Sequence, residues 1–124
     1  NWGTKMATMK DLEASSFQKR PAYRYIRAAD HIPSATMDDD RDPLAVVKLF
    51  NPTGAGTWYI VSYEPETREC YGLADIHEPE IGYFSMAELV SFRGRGGLPI
   101  ERALSWRARP LSECLRGAVL RRPA

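Results

Sequence analysis

Leu44-Ala45-Val46-Val47-Lys48-Leu49-Phe50, Thr57-Trp58-Tyr59-Ile60-Val61-Ser62-Tyr63-Glu64, Glu69-Cys70-Tyr71-Gly72-Leu73-Ala74-Asp75-Ile76 and Glu80-Ile81-Gly82-Tyr83-Phe84 follow one another with only short gaps. Each run is rich in the β-branched and aromatic residues that fit a pleated surface. The gaps hold residues that turn a chain. Asn51-Pro52-Thr53-Gly54-Ala55-Gly56 tolerates positive φ or presets a bend, and Pro65-Glu66-Thr67-Arg68 suits a type I turn opened by Glu64. His77-Glu78-Pro79 makes the third bend. Four strands joined this way form an antiparallel meander. The first run is apolar on both faces and therefore needs cover on both. Gly72, inside the third, marks a bulge or a close approach of a neighbouring backbone.

Downstream of the meander, Ser85-Met86-Ala87-Glu88 is a capping box, and Met86, Leu89 and Phe92 continue an apolar stripe. A helix is expected over residues 86–93, with Gly94 as its left-handed stop. Residues 100–107 read as a fifth strand. A last helix follows Pro110, with Leu111, Leu115 and Val119 as its inner face. Upstream, residues 1–19 form a weak helical candidate, and the pattern dissolves between Pro21 and Pro43, where Tyr23 and Tyr25 offer a docking point. The expected fold is α+β: an antiparallel sheet of four to five strands with short helices packed on one face. An irregular N-terminal arm over residues 1–42 precedes a core of residues 43–124, within one domain.

The 124 residues can bury enough surface for one self-sufficient domain, and a second domain is not expected. No apolar run is long enough to span a membrane. Cys70 and Cys114 are the only thiols, and their spacing suits free cysteines in a reduced cytosolic interior, the expected state, as well as a single bridge. No metal site is expected, because Cys-x-x-Cys is absent and only His31 and His77 are available as imidazole ligands. Asp38-Asp39-Asp40-Arg41-Asp42 lacks the central Gly and final Glu of a calcium loop and reads as a solvated linker. Gly54-Ala55-Gly56 and Gly94-Arg95-Gly96-Gly97 are not phosphate loops, since neither ends in Gly-Lys-Ser/Thr. No cofactor is implied. Acid–base chemistry would have to come from His77, Glu78, Glu80 and Glu101, which work only if the fold brings them together.

A formal net charge of +1 conceals strong segregation. Residues 1–37 carry +3, residues 38–90 carry −8, and residues 91–124 carry +6. Every basic residue of the last segment is Arg, the side chain best suited to fork a carboxylate or phosphate and to stack on rings. Either these arginines cover the acidic strands of the same molecule or they face a partner. Arg93, Arg95, Arg102, Arg107 and Arg109 are the candidate contacts. Tyr59, Tyr63, Tyr71 and Tyr83 join them, because neighbouring aromatics on a strand point to opposite faces and helices on one side cannot cover both sets. Packing of these rings under the N-terminal arm is the competing arrangement.

Lys48-Leu49-Phe50-Asn51-Pro52, Thr57-Trp58-Tyr59, Tyr63-Glu64-Pro65-Glu66-Thr67, Tyr71-Gly72-Leu73, Glu80-Ile81-Gly82-Tyr83-Phe84-Ser85 and Gly97-Leu98-Pro99-Ile100-Glu101-Arg102 together resemble a known family. The chain is similar to the bacterial domain of unknown function 2958 over about residues 43–115. Two positions depart from the pattern: Arg68 stands where the family usually has a turn Gly, and Ala103 where it usually has Asp. The resemblance implies a small protein of plasmids, conjugative elements or phages with no assigned reaction. Proteins of that setting often bind and block restriction or CRISPR systems. The expected function is therefore a cytoplasmic, non-enzymatic interaction protein whose partner is a host-defence protein. Nucleic-acid binding through the Arg-rich end is the alternative.

Overall fold

The computed structural model describes residues 24–35 and 41–121. The predicted helix over residues 1–19, Tyr23 and the run Asp38 to Asp40 lie outside them. In chain order the elements are β1 (Leu44–Ala45), β2 (Val47–Phe50), β3 (Thr57–Glu64), β4 (Glu69–Asp75) and β5 (Pro79–Ser85), then α1 (Met86–Ser91), β6 (Glu101–Arg102), β7 (Arg109–Pro110) and α2 (Leu111–Leu120). Five strands form one antiparallel sheet in the order β5-β4-β3-β2-β6, and β1 pairs with β7 in a second, two-stranded sheet. The α+β class and the meander are as expected.

Both faces of the sheet are covered, so the helices do not share one face. Trp58, Ile60, Tyr63 and Cys70 pack with Met86 and Leu89 of α1, with Ile100, and with Tyr25 and Ile26 of the arm. On the opposite face Tyr59, Val61 and Leu73 pack with Leu111, Cys114 and Ala118 of α2. The reason lies in β3, which is buried along both sides and would leave half its apolar surface wet under a single helix layer. Two of the expected strands are broken or shortened. Val46 separates β1 from β2, and residues 100–107 contribute only β6, with β7 arising further on.

A bulge in β3 moves Tyr63 to the arm side of the sheet. Ile60 pairs with Gly72 and Ser62 with Tyr71, so Val61 is an extra residue with no opposite number. The insertion lets Tyr59 and Val61 serve one core while Ile60 and Tyr63 serve the other. Gly72 faces it, and a Cβ there would strike the carbonyl oxygen of Tyr59.

Ser85 caps α1 as expected, forming one half of the box: Glu88 N donates to Ser85 Oγ at 3.2 Å. Replacing Ser85 with Ala should therefore cost about 1 kcal/mol in urea denaturation. The helix is shorter than expected, because Phe92 is already extended, and Gly94 has φ −91° and is no left-handed stop. Its small size matters instead, since a Cβ would run into Thr53 Oγ1. α2 buries Leu111, Cys114 and Ala118 and leaves Val119 exposed, a stripe rotated from the predicted one. Its first turn is capped from a distance: Ser112 N and Ser112 Oγ both donate to the Asp42 carboxylate, at 2.9 and 2.5 Å. One member of the acidic run thus holds a helix.

The described part of the arm is fixed to the far edge of the sheet. Tyr25 OH donates to Ile100 O at 2.5 Å. Arg102 donates from both terminal nitrogens to the two oxygens of Asp30, each at 2.7 Å, and from Nη1 to Tyr25 O at 3.1 Å. Tyr63 N donates to Pro33 O at 2.8 Å. Burial alone would raise the Asp30 pKa; hydrogen bonds from Arg102 and Arg27 N, with their charges, outweigh it and hold it below the usual value.

Candidate functional site

The candidate side chains separate by position. Arg102 is 7% exposed and committed to Asp30, so it is an internal tie and leaves the set of surface contacts. Tyr63, at 1%, is core under the arm, and Tyr59, at 3%, is core under α2. Neither lies on an open face, because each side of the sheet has its own cover. Tyr71 is half-buried against Tyr83, their centroids 5.0 Å apart, and Tyr83 is exposed on the edge strand β5. Arg93, Arg95, Arg107 and Arg109 are exposed. Arg93 Nη1 donates to Val90 O and Phe92 O and so closes the end of α1. Arg95 is held by its backbone, whose N–H donates to Thr53 Oγ1 at 3.1 Å.

The proposed acid–base group does not assemble. His77, Glu78 and Glu80 lie at the β4–β5 turn and on β5, whereas Glu101 is on β6. Those are opposite edges of a five-stranded sheet, four strand spacings or about 19 Å apart. Among the described residues no group of three or more His, Cys, Asp or Glu side chains could hold a metal ion. Both cysteines are free and buried.

A different cluster emerges on the α2 face. Lys48 of β2 stands directly opposite Tyr59 of β3. Trp106, from the β6–β7 connection, packs against Tyr59 with centroids 5.4 Å apart and is held by donation from its Nε1 to Ala45 O at 3.0 Å. The Lys48 ammonium lies 5.7 Å from the Tyr59 centroid and 5.4 Å from that of Trp106. Arg109 lies 4.0 Å above the Trp106 ring. Arg121, at the end of α2, donates to Tyr59 OH at 3.2 Å. Three cations thus gather on one pair of rings. No carboxylate of the described residues is within ion-pair distance of any of them.

The electrostatics of the cluster follow from this crowding. Burial lowers the Lys48 pKa, and the charges of Arg121 and Arg109 push it further down. Burial raises the Tyr59 phenol against the opposing pull of Arg121. Burial likewise raises the Cys114 thiol, despite Arg109 nearby. The cluster therefore presents positive charge beside a neutral phenol and a neutral thiol, an arrangement suited to receiving an anion. Of its members only Arg109 and Tyr59 were among the sequence candidates. Lys48 carried one overlooked signal, a single charge inside an otherwise apolar strand.

The molecule is a small α+β domain whose most concentrated chemistry is a cationic, aromatic surface site. The model of a family described as "Protein of unknown function (DUF2958)" matches residues 17–120, and the chain belongs to that family. The match begins within the arm, well before residue 43, in keeping with the burial of Tyr25 and Ile26 in the core. No curated protein and no solved structure matches the chain. Among the described residues no helix is long and apolar enough to cross a membrane. Arg68, in the β3–β4 turn, adopts the left-handed conformation with φ 59°, and its N–H donates to Glu64 O at 2.8 Å. The turn keeps the shape a Gly would favour.

Proposed function

We propose that the protein is a non-enzymatic interaction protein of a bacterial mobile element, acting in the host cytoplasm by binding an acidic surface of a host-defence protein and blocking it. One observation supports the reading: among the described residues, most arginines of the positive end, Arg102 excepted, are left without ion pairs. Arg95, Arg107, Arg109, Arg116 and Arg121 have no carboxylate of the described residues in ion-pair range, and all five are exposed. Arginines on an open surface beside aromatic rings are typical of interface centres. The segregation of charge would steer such a protein toward an acidic partner and quicken its association.

Binding to purified CRISPR effector complexes and restriction subunits is the direct test, with inhibition of their cleavage as the functional readout. Reversing Arg95 and Arg107 together to Glu should weaken binding at least about tenfold, and more at low salt. Arg93 is unsuitable for that experiment because it also closes α1. Absence of binding to either class of complex would defeat the proposal. The same arginines also suit nucleic-acid phosphates. That second reading requires a mobility shift with generic DNA or RNA that falls steeply with salt.

A further inference from the structure

We infer that Lys48, Arg109 and Arg121 form a binding site for a small phosphate monoester, seated on the Tyr59–Trp106 ring pair. The inference stands apart from the protein-partner proposal, because it concerns a small ligand on one face of the sheet. Its first support is convergence. Lys48 of β2 is distant in sequence from Arg109 of β7 and Arg121 at the end of α2, yet all three reach the same two rings, whose centroids are 5.4 Å apart. The second is that, among the described residues, no carboxylate is within ion-pair distance of the three cations, although the charge of Asp75 reaches Tyr59 and that of Glu113 reaches Cys114. Like charges held together repel, and cation–π contacts offset only about 0.5–1 kcal/mol each at exposed sites.

The third support is the match of charge and shape. A carboxylate or a phosphodiester brings one negative charge to three positive ones, and a phosphate monoester near neutral pH brings almost two. Its three terminal oxygens can each take a donor from a different direction, which suits one ammonium and two guanidinium groups. The site is also built to be entered. Tyr59 forms a buried floor, Trp106 is fixed by its bond to Ala45 O, Lys48 is half-buried, and Arg109 and Arg121 stand exposed at the rim. The depressed Lys48 pKa agrees, since an anion at this point would relieve the burial and repulsion that cause it.

The test is a nuclear magnetic resonance titration of the full chain, following the Trp106 indole N–H and the amides of β2 and α2. The probes are inorganic phosphate, a nucleoside 5′-monophosphate, acetate and dimethyl phosphate. Phosphate and the monophosphate should saturate below about 1 mM, with acetate and dimethyl phosphate at least about tenfold weaker. Lys48→Gln and Arg109→Gln should each weaken the phosphate probes about tenfold with the fold intact by circular dichroism. Arg121→Gln, at the exposed helix end, serves where either of those fails to fold. A single-stranded DNA with and without a 5′-phosphate separates the two sources of the group. Preference for the phosphorylated end extends the site to nucleic-acid termini. Equal binding of the two strands with no response to inorganic phosphate overturns the inference. So do equal shifts with acetate, or shifts that persist unchanged in the variants.

Discussion

Asp30→Ala is expected to destabilise the protein by about 3–5 kcal/mol, read as a lower urea midpoint and a melting temperature reduced by more than about 10 °C. The side chains of Asp30 and Arg102 are each 6% exposed, so deleting the carboxylate strands a guanidinium where water cannot solvate it. The loss spreads beyond the pair. Arg102 also donates to Tyr25 O, and Tyr25 and Ile26 are among the most buried residues of the arm-side core. Asp30→Ala combined with Arg102→Met should recover much of the loss, because it removes the stranded charge together with its partner. A double variant as unstable as the sum of the two single ones would show that the pair does not act as a unit. The pair also sets an acid limit. The Asp30 pKa is lowered in the folded state, so its contribution is complete above the unfolded value of about 4 and is lost as pH falls through the folded one. Detachment of the arm on acidification should therefore begin below about pH 4, followed by limited proteolysis or tyrosine fluorescence.

Gly72→Ala should cost about 3 kcal/mol or more and sharply lower the yield of folded protein. The added methyl would strike the Tyr59 carbonyl oxygen and come within 3.2 Å of Ile60 Cα. Both obstacles are backbone in the middle of the sheet, so no side chain can swing aside. Relief requires β3 and β4 to part at the bulge, where β3 serves both cores. Gly82→Ala is the matching control. Gly82 lies opposite Gly72 on β5 with nothing within 4 Å of an added Cβ, and its replacement should change stability by no more than about 0.5 kcal/mol. Similar effects at the two positions would mean that backbone approach is not what Gly72 provides.

The meander could be read from the chain because its signals are local. Turn residues fall between runs of strand formers, Ser85 and Glu88 frame the start of α1, and Gly72 stands alone in a strand. What could not be read depends on partners distant in sequence. The side taken by Tyr63 follows from the extra residue at Val61, which shifts the alternation halfway along β3 and cannot be seen in a pattern of period two. The rotation of the α2 stripe toward Cys114 and Ala118 reflects which small residues fit against Tyr59 and Leu73. The site divided in the same way. Arginine count and charge segregation single out the C-terminal arginines, but nothing in the sequence separates Arg102, which pairs with Asp30, from its neighbours. Lys48 joined Arg109 and Arg121 only through strand register and the end of a helix.

The tie between the arm and β6 also orders events during synthesis. Asp30 and Arg102 are separated by 72 residues, and Tyr25 and its acceptor Ile100 by 75. A ribosome adds about 5–20 residues each second, so the arm leaves the exit tunnel several seconds before its anchor exists. The hairpins of the meander close within their own short spans meanwhile. For that interval one side of a nearly finished sheet lacks its cover, with Trp58, Ile60 and Tyr63 accessible. A nascent chain stalled before Ile100 should be bound by hydrophobic-surface chaperones, and one released past Leu120, with both faces of the sheet covered, should not.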